Sequence, residues 1–257
     1  MNEESDNWWS AFYDDLLAEV LLERGDEGEV ARTVEYLERT LGIHPGDAVF
    51  DQCCGTGRLS VPLARRGFAV TGFDLIPDYV NRAREKATKA AVAAELVVAD
   101  AFDWSRSGAF AAGLNWWTSF GYASTDRQNL RMLQRAFECL RAGGRYALDF
   151  MNTPGVLRHF QPETITRATS EAMGEIELVR RSHVDVAEGV MRKKWTYRTS
   201  EGRVSEHESS VRMYDPPALR ALFEEAGFRR IEIHGDLDGS EVTLDSPRCI
   251  MVGERPV

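Results

Sequence analysis

The sequence predicts an α/β fold. It reads as a doubly wound, mostly parallel sheet, preceded by a helical segment and interrupted after its fifth strand by an antiparallel β cap. Three observations carry this. Between residues 46 and 150, short apolar strands alternate with amphipathic helices, the pattern of right-handed βαβ crossovers. The first of these strands runs straight into the turn Cys53-Cys54-Gly55-Thr56-Gly57. Asp51, Asp74 and Asp100 stand at or just past the ends of strands one, two and three, the edge where parallel sheets bind ligands.

Taken in order, residues 8–41 read as helical, with Leu16, Leu17, Val20 and Leu21 and then Val30, Val34 and Leu37 at helical spacing. Residues 48–50 form the first strand. A helix follows at 58–66, with Pro62 tolerated in its first turn. Residues 69–73 and 94–99 are strands two and three, separated by a helix at 78–91. Strand four is placed at 110–116, a helix at 129–140, and strand five at 145–150 after the stop Arg141-Ala142-Gly143-Gly144. The rhythm then changes. Residues 175–185, 190–199 and 204–214 alternate with period two and are separated by Glu188-Gly189 and Glu201-Gly202, an antiparallel meander. A helix at 216–226, with Pro at its start and Gly227 beyond its end, leads to final strands at 228–234 and 249–254. Four units are expected: a helical lid (1–45), a ligand-binding core (46–154), the cap (155–214), and a closing helix with the last strands (215–257).

Composition narrows the function. Among 257 residues, 31 Lys and Arg against 41 Asp and Glu give a net charge of −10. Such a chain repels nucleic-acid phosphates unless it carries a basic patch, and Arg192-Lys193-Lys194 is its densest basic run. No apolar segment approaches the roughly 20 residues of a membrane span, and the acidic start MNEESDNWW does not read as a signal peptide. The expectation is a cytoplasmic protein that binds neither nucleic acid nor membrane, as monomer or homodimer. Of the four cysteines, Cys53 and Cys54 are adjacent, a spacing that fits neither a zinc site nor a redox pair. They read as small supports of the turn, and no metal is expected.

The glycine turn could face a pyrophosphate, but a dinucleotide fingerprint needs Gly or Ala where Ser60 stands, and Asp51 would add charge of the wrong sign. A ligand with a ribose for Asp74, an adenine amine for Asp100, a ring beside Ala101 and Phe102, and a cationic amino-acid end for Asp51 fits better. The ordered set Asp51-x-x-Cys54-Gly55-Thr56-Gly57, Asp74, Asp100 and Leu140-Arg141-Ala142-Gly143-Gly144 resembles the motifs of class I S-adenosylmethionine-dependent methyltransferases. The resemblance covers roughly residues 46–150, and the closing strands resemble the reversed last strand of that family's Rossmann-like seven-stranded sheet. It implies S-adenosylmethionine as cofactor, S-adenosylhomocysteine as product, and a cofactor set of Asp51, Cys53, Gly55, Gly57, Arg58, Asp74, Leu75, Asp100, Ala101, Phe102, Asn115 and Trp116. Trp9 and Tyr13 on the first helix would close over it. Asn115-Trp116-Trp117-Thr118 replaces the Asn/Asp-Pro-Pro-aromatic signature of DNA and protein amide methyltransferases. A small organic acceptor, methylated on nitrogen or oxygen and less readily on carbon, is therefore expected. The meander resembles that of sugar-amine N-methyltransferases, which suggests a place in natural-product or specialised metabolism.

Candidate acceptor contacts are Trp117, Tyr122, Asn152, Trp195, Arg212 and Tyr214, and candidate catalytic groups are Tyr122 and His207. The bland alternatives are core packing for the aromatics and a solvated strand position for His207, which lies between Glu206 and Glu208. A nicotinamide-dependent oxidoreductase and a cofactor-binding protein without turnover are the rival functions.

Overall fold

The computed structural model describes residues 8–23, 26–170 and 173–257. The chain opens with two short helices, α1 (Trp9–Phe12) and α2 (Asp15–Leu17), the latter continuing into a π turn at Ala18–Leu22. Then come α3 (Glu27–Leu41), β1 (Ala48–Gln52), α4 (Ser60–Arg65), β2 (Ala69–Asp74), α5 (Pro77–Lys89), β3 (Ala94–Val98), β4 (Phe110–Asn115), α6 (Asp126–Cys139), β5 (Leu140–Phe150) and α7 (Thr153–Arg158). The cap is β6 (Glu163–Ser170), β7 (Gly174–Asp185), β8 (Val190–Thr199) and β9 (Val204–Arg212), and α8 (Pro216–Ala226), β10 (Arg229–His234) and β11 (Cys249–Glu254) complete the chain.

Among the described residues the main sheet has seven strands in the order β10-β11-β5-β4-β1-β2-β3. Pairing is parallel from β5 to β3 and antiparallel where β11 meets β5 and β10. The order reverses between β1 and β4, so the crevice for a ligand opens beyond their carboxyl ends. The cap is a separate four-stranded antiparallel sheet, β6-β7-β8-β9.

Both faces of the main sheet are covered. Leu133 of α6 and Leu222 and Phe223 of α8 pack with Phe50, Tyr146 and Met251 on one face. Val34, Leu37 and Leu41 of α3 pack with Val49, Leu114, Ile250 and Val252 on the other. A buried side chain of this size contributes about 1.5–3 kcal/mol. One site shows how tight the fit is: a Cβ added to Gly113 would lie 2.0 Å from Phe50 Cζ. Gly113 therefore lets the Phe50 ring lie across strand four.

Several expectations need correction. The helix read across residues 8–41 is broken, because two acids restart it: Asp14 caps α2 by accepting from Leu17 N, and Asp26 caps α3 by accepting from Glu29 N. Residues 1–7, 24 and 25 lie outside the described residues. The helix expected at 58–66 starts at Ser60 because the glycine turn runs on to Leu59. Strand five begins at Leu140. Gly143 and Gly144 do not merely end α6: they exchange backbone hydrogen bonds with Arg255, and they fall where the pairing of β5 with β4 shifts register. The cap has a fourth strand, β6, which the Thr-rich stretch Thr164-Ile165-Thr166 had not announced.

The first helices are held between the two sheets. Phe12, Leu16, Leu17 and Val20 bury against Ile176, Leu178, Trp195 and Tyr197 of the cap. Arg203 grips Asp15 through two hydrogen bonds of 3.0 and 3.1 Å, and Tyr79 of α5 donates its hydroxyl to Asp14 O at 2.8 Å.

Gly113→Ala is expected to lower stability by about 3 kcal/mol or more, since Phe50 has no room to move. Urea denaturation reads this as a lower midpoint at unchanged slope, and an unchanged midpoint would show that the β1–β4 contact is slack.

Candidate active site

The site is built where β1 ends. Cys53, Gly55 and Gly57 take positive φ values of 61°, 52° and 78°, turning the chain back toward α4. Gly57 is required for packing as well: a Cβ there would come within 2.9 Å of Ala83 Cβ on α5. Asp74, at the end of β2, accepts from Gly55 N at 2.9 Å and from Ile76 N at 3.0 Å. Each oxygen keeps acceptor capacity for a ligand hydroxyl. Asp100 accepts from Phe102 N at 2.8 Å through Oδ1, which leaves Oδ2 for a donor.

These groups border a cavity of about 390 Å³, within the range of small-molecule sites. Its floor is Cys53, Gly55, Arg58, Asp74, Leu75, Asp100, Ala101 and Phe102. Its roof is Trp8, Trp9, Phe12, Tyr13 and Leu17 from the first helices, and its far end is Trp116, Trp117, Tyr122, Met151, Lys193, Trp195 and Ser209. The aromatic segment interlocks with the wall. Trp9 lies 5.8 Å from Phe102 and 6.2 Å from Tyr122, and the Tyr13 and Tyr122 hydroxyls meet at 2.5 Å. Burial pushes both phenols well above their ordinary pKa, and each raises or engages the other. Both stay neutral, and in the bond between them one hydroxyl donates while the other accepts.

A second network stiffens the far end. Trp117 and Thr118 hold left-handed φ values of 57° and 59°, strained for a bulky and a β-branched residue. Asp149 accepts from Trp117 N at 3.1 Å, and Arg58 stacks over the Trp117 ring at 4.3 Å. Glu29 of α3 bridges Arg58 and Arg248, and Arg248 reaches Asp149 at 2.8 Å. Burial raises the Asp149 carboxyl to about 6 against the pull of Arg248.

Asp51, Gly57, Asn115, Asn152, His207, Arg212 and Tyr214 do not line this cavity. Asp51 points beneath the turn, is 3% exposed, and accepts from Ser60 Oγ at 2.6 Å. It pins the turn to α4. Asn115 is fully buried behind the turn and donates to Gln52 Oε1 at 3.4 Å. His207 pairs with Asp14 at 2.8 Å and so anchors the roof. Arg212 and Tyr214 both bind Asp126 of α6 at 2.8 Å, which locks β9 to the core. Asn152 donates to Thr243 O and Ser246 O and holds the loop before β11.

The sequence reading had not singled out Tyr79, Met132, Met151, Leu17, Leu21, Lys193 or Ser209 as cavity residues. Lys193 had a signal, because it shares the strand face of Trp195. The four cysteines are free thiols, and burial pushes Cys53 and Cys54 up, away from reactivity. Among the described residues no cluster of His, Cys, Asp and Glu is placed to hold a metal, and no helix is long and apolar enough to cross a membrane.

The donor set suits an adenosyl cofactor: two carboxylates with spare acceptor capacity, an apolar ring slot at Ala101–Phe102, and the buried Trp116 Nε1–H, which has no partner among the described residues. Together with the reversed last strand, this defines a Rossmann-like adenosyl-binding protein. Residues 49–144, somewhat over a third of the chain, match the methyltransferase domain family. The chain is 31% identical over 121 residues to an S-adenosyl-L-methionine-dependent Diels–Alderase of Talaromyces variabilis, an alignment covering 46% of this chain and 40% of that protein. It is 24% identical to a putative methyltransferase of Geobacillus sp. (strain WCH70), over 99% of this chain and 100% of the relative. Among solved structures, the sugar N-methyltransferase KedS8 from Streptoalloteichus sp. superposes with a TM-score of 0.73 at 24% identity, over 95% of this chain and 96% of that one.

Asp74→Ala is expected to weaken S-adenosylhomocysteine binding by about 1–3 kcal/mol, the cost of losing charged hydrogen bonds. Calorimetric titration measures it, and an unchanged affinity would remove Asp74 from the site.

Asp51 makes a separate pH test. Burial raises its carboxyl to about 7 from the ordinary 3.8, against the opposing Ser60 hydrogen bond. The folded chain keeps this proton up to about pH 7, whereas the unfolded chain releases it near pH 4. Its contribution to stability therefore falls as pH rises through that window. In Asp51→Asn the unfolding free energy should slope less steeply between pH 4 and 7, and an identical slope would show that Asp51 is ionised throughout.

Proposed function

We propose that the protein transfers a methyl group from S-adenosylmethionine to a nitrogen or oxygen of a small organic acceptor, in natural-product or specialised metabolism. One observation carries this reading: a single enclosed cavity joins the adenosyl-type donor set at Asp74 and Asp100 to an aromatic chamber of Trp117, Tyr122 and Trp195. The sugar N-methyltransferase likeness supports it at the level of fold.

When bound, the cofactor supplies a methyl on a sulfonium, open to in-line displacement. The chain's part is positioning. Asp74 and Asp100 fix the adenosyl end. Trp8, Trp9 and Tyr13 exclude water, which strengthens every charge interaction beneath them. Tyr122, a neutral phenol, orients the nucleophile through a hydrogen bond and does not deprotonate it. An acceptor that arrives already neutral or ionised needs only this alignment. His207 takes no part, because Asp14 occupies it.

Incubation with S-adenosylmethionine and a panel of small amines, phenols and carboxylic acids, read by mass spectrometry, is the test. Methylated product with stoichiometric S-adenosylhomocysteine is expected. Tyr122→Phe should lower kcat by about 10–100-fold while binding S-adenosylhomocysteine within about threefold of wild type. Tight cofactor binding without S-adenosylhomocysteine formation across the panel would defeat the proposal. One relative is named a Diels–Alderase, so a second reading has the bound cofactor shaping the chamber for a rearrangement. Its mark would be an acceptor changed while the cofactor stays intact.

A further inference from the structure

The cap carries many cations, and most are neutralised. Arg181 holds Glu163 at 2.8 Å, Arg192 holds Asp185 at 3.2 Å, and Lys194 holds Glu206 at 2.9 Å. Arg203 and Arg212 hold Asp15 and Asp126. Lys193 differs. It points from the inner face of β8 into the cavity, and among the described residues it forms no ion pair; its recorded contact is the Trp195 ring, 5.9 Å from Nζ. An ammonium withdrawn from water without a carboxylate is costly unless something else completes its shell.

Its surroundings are laid out to complete that shell from a ligand. Ser182 and Ser209 stand directly opposite Lys193 on the neighbouring strands, and opposed residues share a face. Ser209 Oγ already accepts from Trp195 Nε1 at 2.8 Å, so its own proton is left to donate. Lys193 also borders a second cavity of about 390 Å³, whose polar wall includes Asn152, Gln161, Ser182 and Ser246. Asn152 is 2% exposed, and its Oδ1 has no partner among the described residues. The acid of that wall, Asp245, is taken by Arg158 and His159. The main cavity's carboxylates, Asp74 and Asp100, lie at its adenosyl end. The ligand space is thus acidic at one end and basic at the other.

We propose that Lys193, with Ser182 and Ser209, is the specificity determinant that recognises an anionic group, carboxylate or phosphate, on the acceptor. The assignment rests on the acceptor chamber described above. It places the acceptor's charged group at the junction of the two cavities and its uncharged remainder against Trp117 and Trp195. The second cavity, with the unpartnered Asn152 oxygen, is left for further donor groups of the same molecule. Burial, and then the nearby Arg180, hold the Lys193 ammonium below the usual lysine value, and an arriving anion relieves both.

The test is binding to protein saturated with S-adenosylhomocysteine, followed by tryptophan fluorescence, since Trp195 adjoins the site. The probes are benzoate, phenyl phosphate and benzyl alcohol. Wild type is expected to bind at least one anion tenfold or more tightly than benzyl alcohol, and the preferred anion distinguishes carboxylate from phosphate. Lys193→Met should erase the preference, Lys193→Arg should keep most of it, and both should bind S-adenosylhomocysteine as wild type does, which also reports an intact fold. Equal binding of the three probes to wild type, or an anion preference that survives in Lys193→Met, would overturn the assignment. The readout needs no methyl transfer. An inactive protein that still prefers anions through Lys193 would therefore sink the proposed reaction and leave this site standing.

Discussion

The enclosed character of the site depends on one packing arrangement, the burial of residues 8–22 between the main sheet and the cap. Without it, Asp74 and Asp100 would sit on an open sheet edge, as parallel-sheet ligand sites do before anything covers them. The arrangement is mainly hydrophobic. Phe12, Leu16, Leu17 and Val20 lose their water against Trp195, Tyr197 and Leu178. The ion pairs Asp14–His207 and Asp15–Arg203 are partly exposed, worth about 0–1 kcal/mol each, and set register more than stability. The cap therefore does more than border the far end of the cavity. It also holds the segment that roofs the cofactor end, so removing it would disturb both ends of the cavity.

Rigidity at the methyl-transfer end has another source. Left-handed Trp117 and Thr118 cost backbone energy, and that cost is met by a chain of charged contacts through Arg58, Glu29, Arg248 and Asp149. Four elements distant in sequence converge there: α3, the turn before α4, β5, and the residue preceding β11. A wall built in this way resists deformation by the acceptor. That is what an alignment-driven displacement requires, since misplacement of about 1 Å costs on the order of 100-fold in rate.

The core was legible because its signals are local. Alternating strands and helices, the glycine turn, and acids at three strand ends lie within short windows of sequence, and the cavity floor comes from those windows. Misassigned residues fall where a side chain's direction depends on a distant element. Asp51 looked like a ligand for an ammonium group because it ends a strand, but strand alternation turns it down onto Ser60. Arg212 and Tyr214 share a strand face that suggests acceptor contact, but that stretch docks against Asp126 of α6. His207 had its sequence neighbours Glu206 and Glu208 as apparent partners, and its real partner is Asp14, 193 residues away. Lys193 shows the converse. Its strand face is visible in the alternation, and only the lack of an ion pair among the described residues, a property of the folded chain, marks it.

The long reach of these contacts has a kinetic consequence. Asp14 and Asp15 emerge early in synthesis, but the residues that receive them, Arg203 and His207, emerge 188 and 193 residues later. Contacts of such separation close slowly, because the chain between them must first be ordered. The core sheet through β5 can assemble from near neighbours, but the roof must wait for β9. Until the cap strands are made, Phe12, Leu16, Leu17 and Val20 lack the surface they bury against, and the nascent chain carries a partly exposed apolar segment ahead of a half-built domain, the condition in which chaperone capture or aggregation competes with folding.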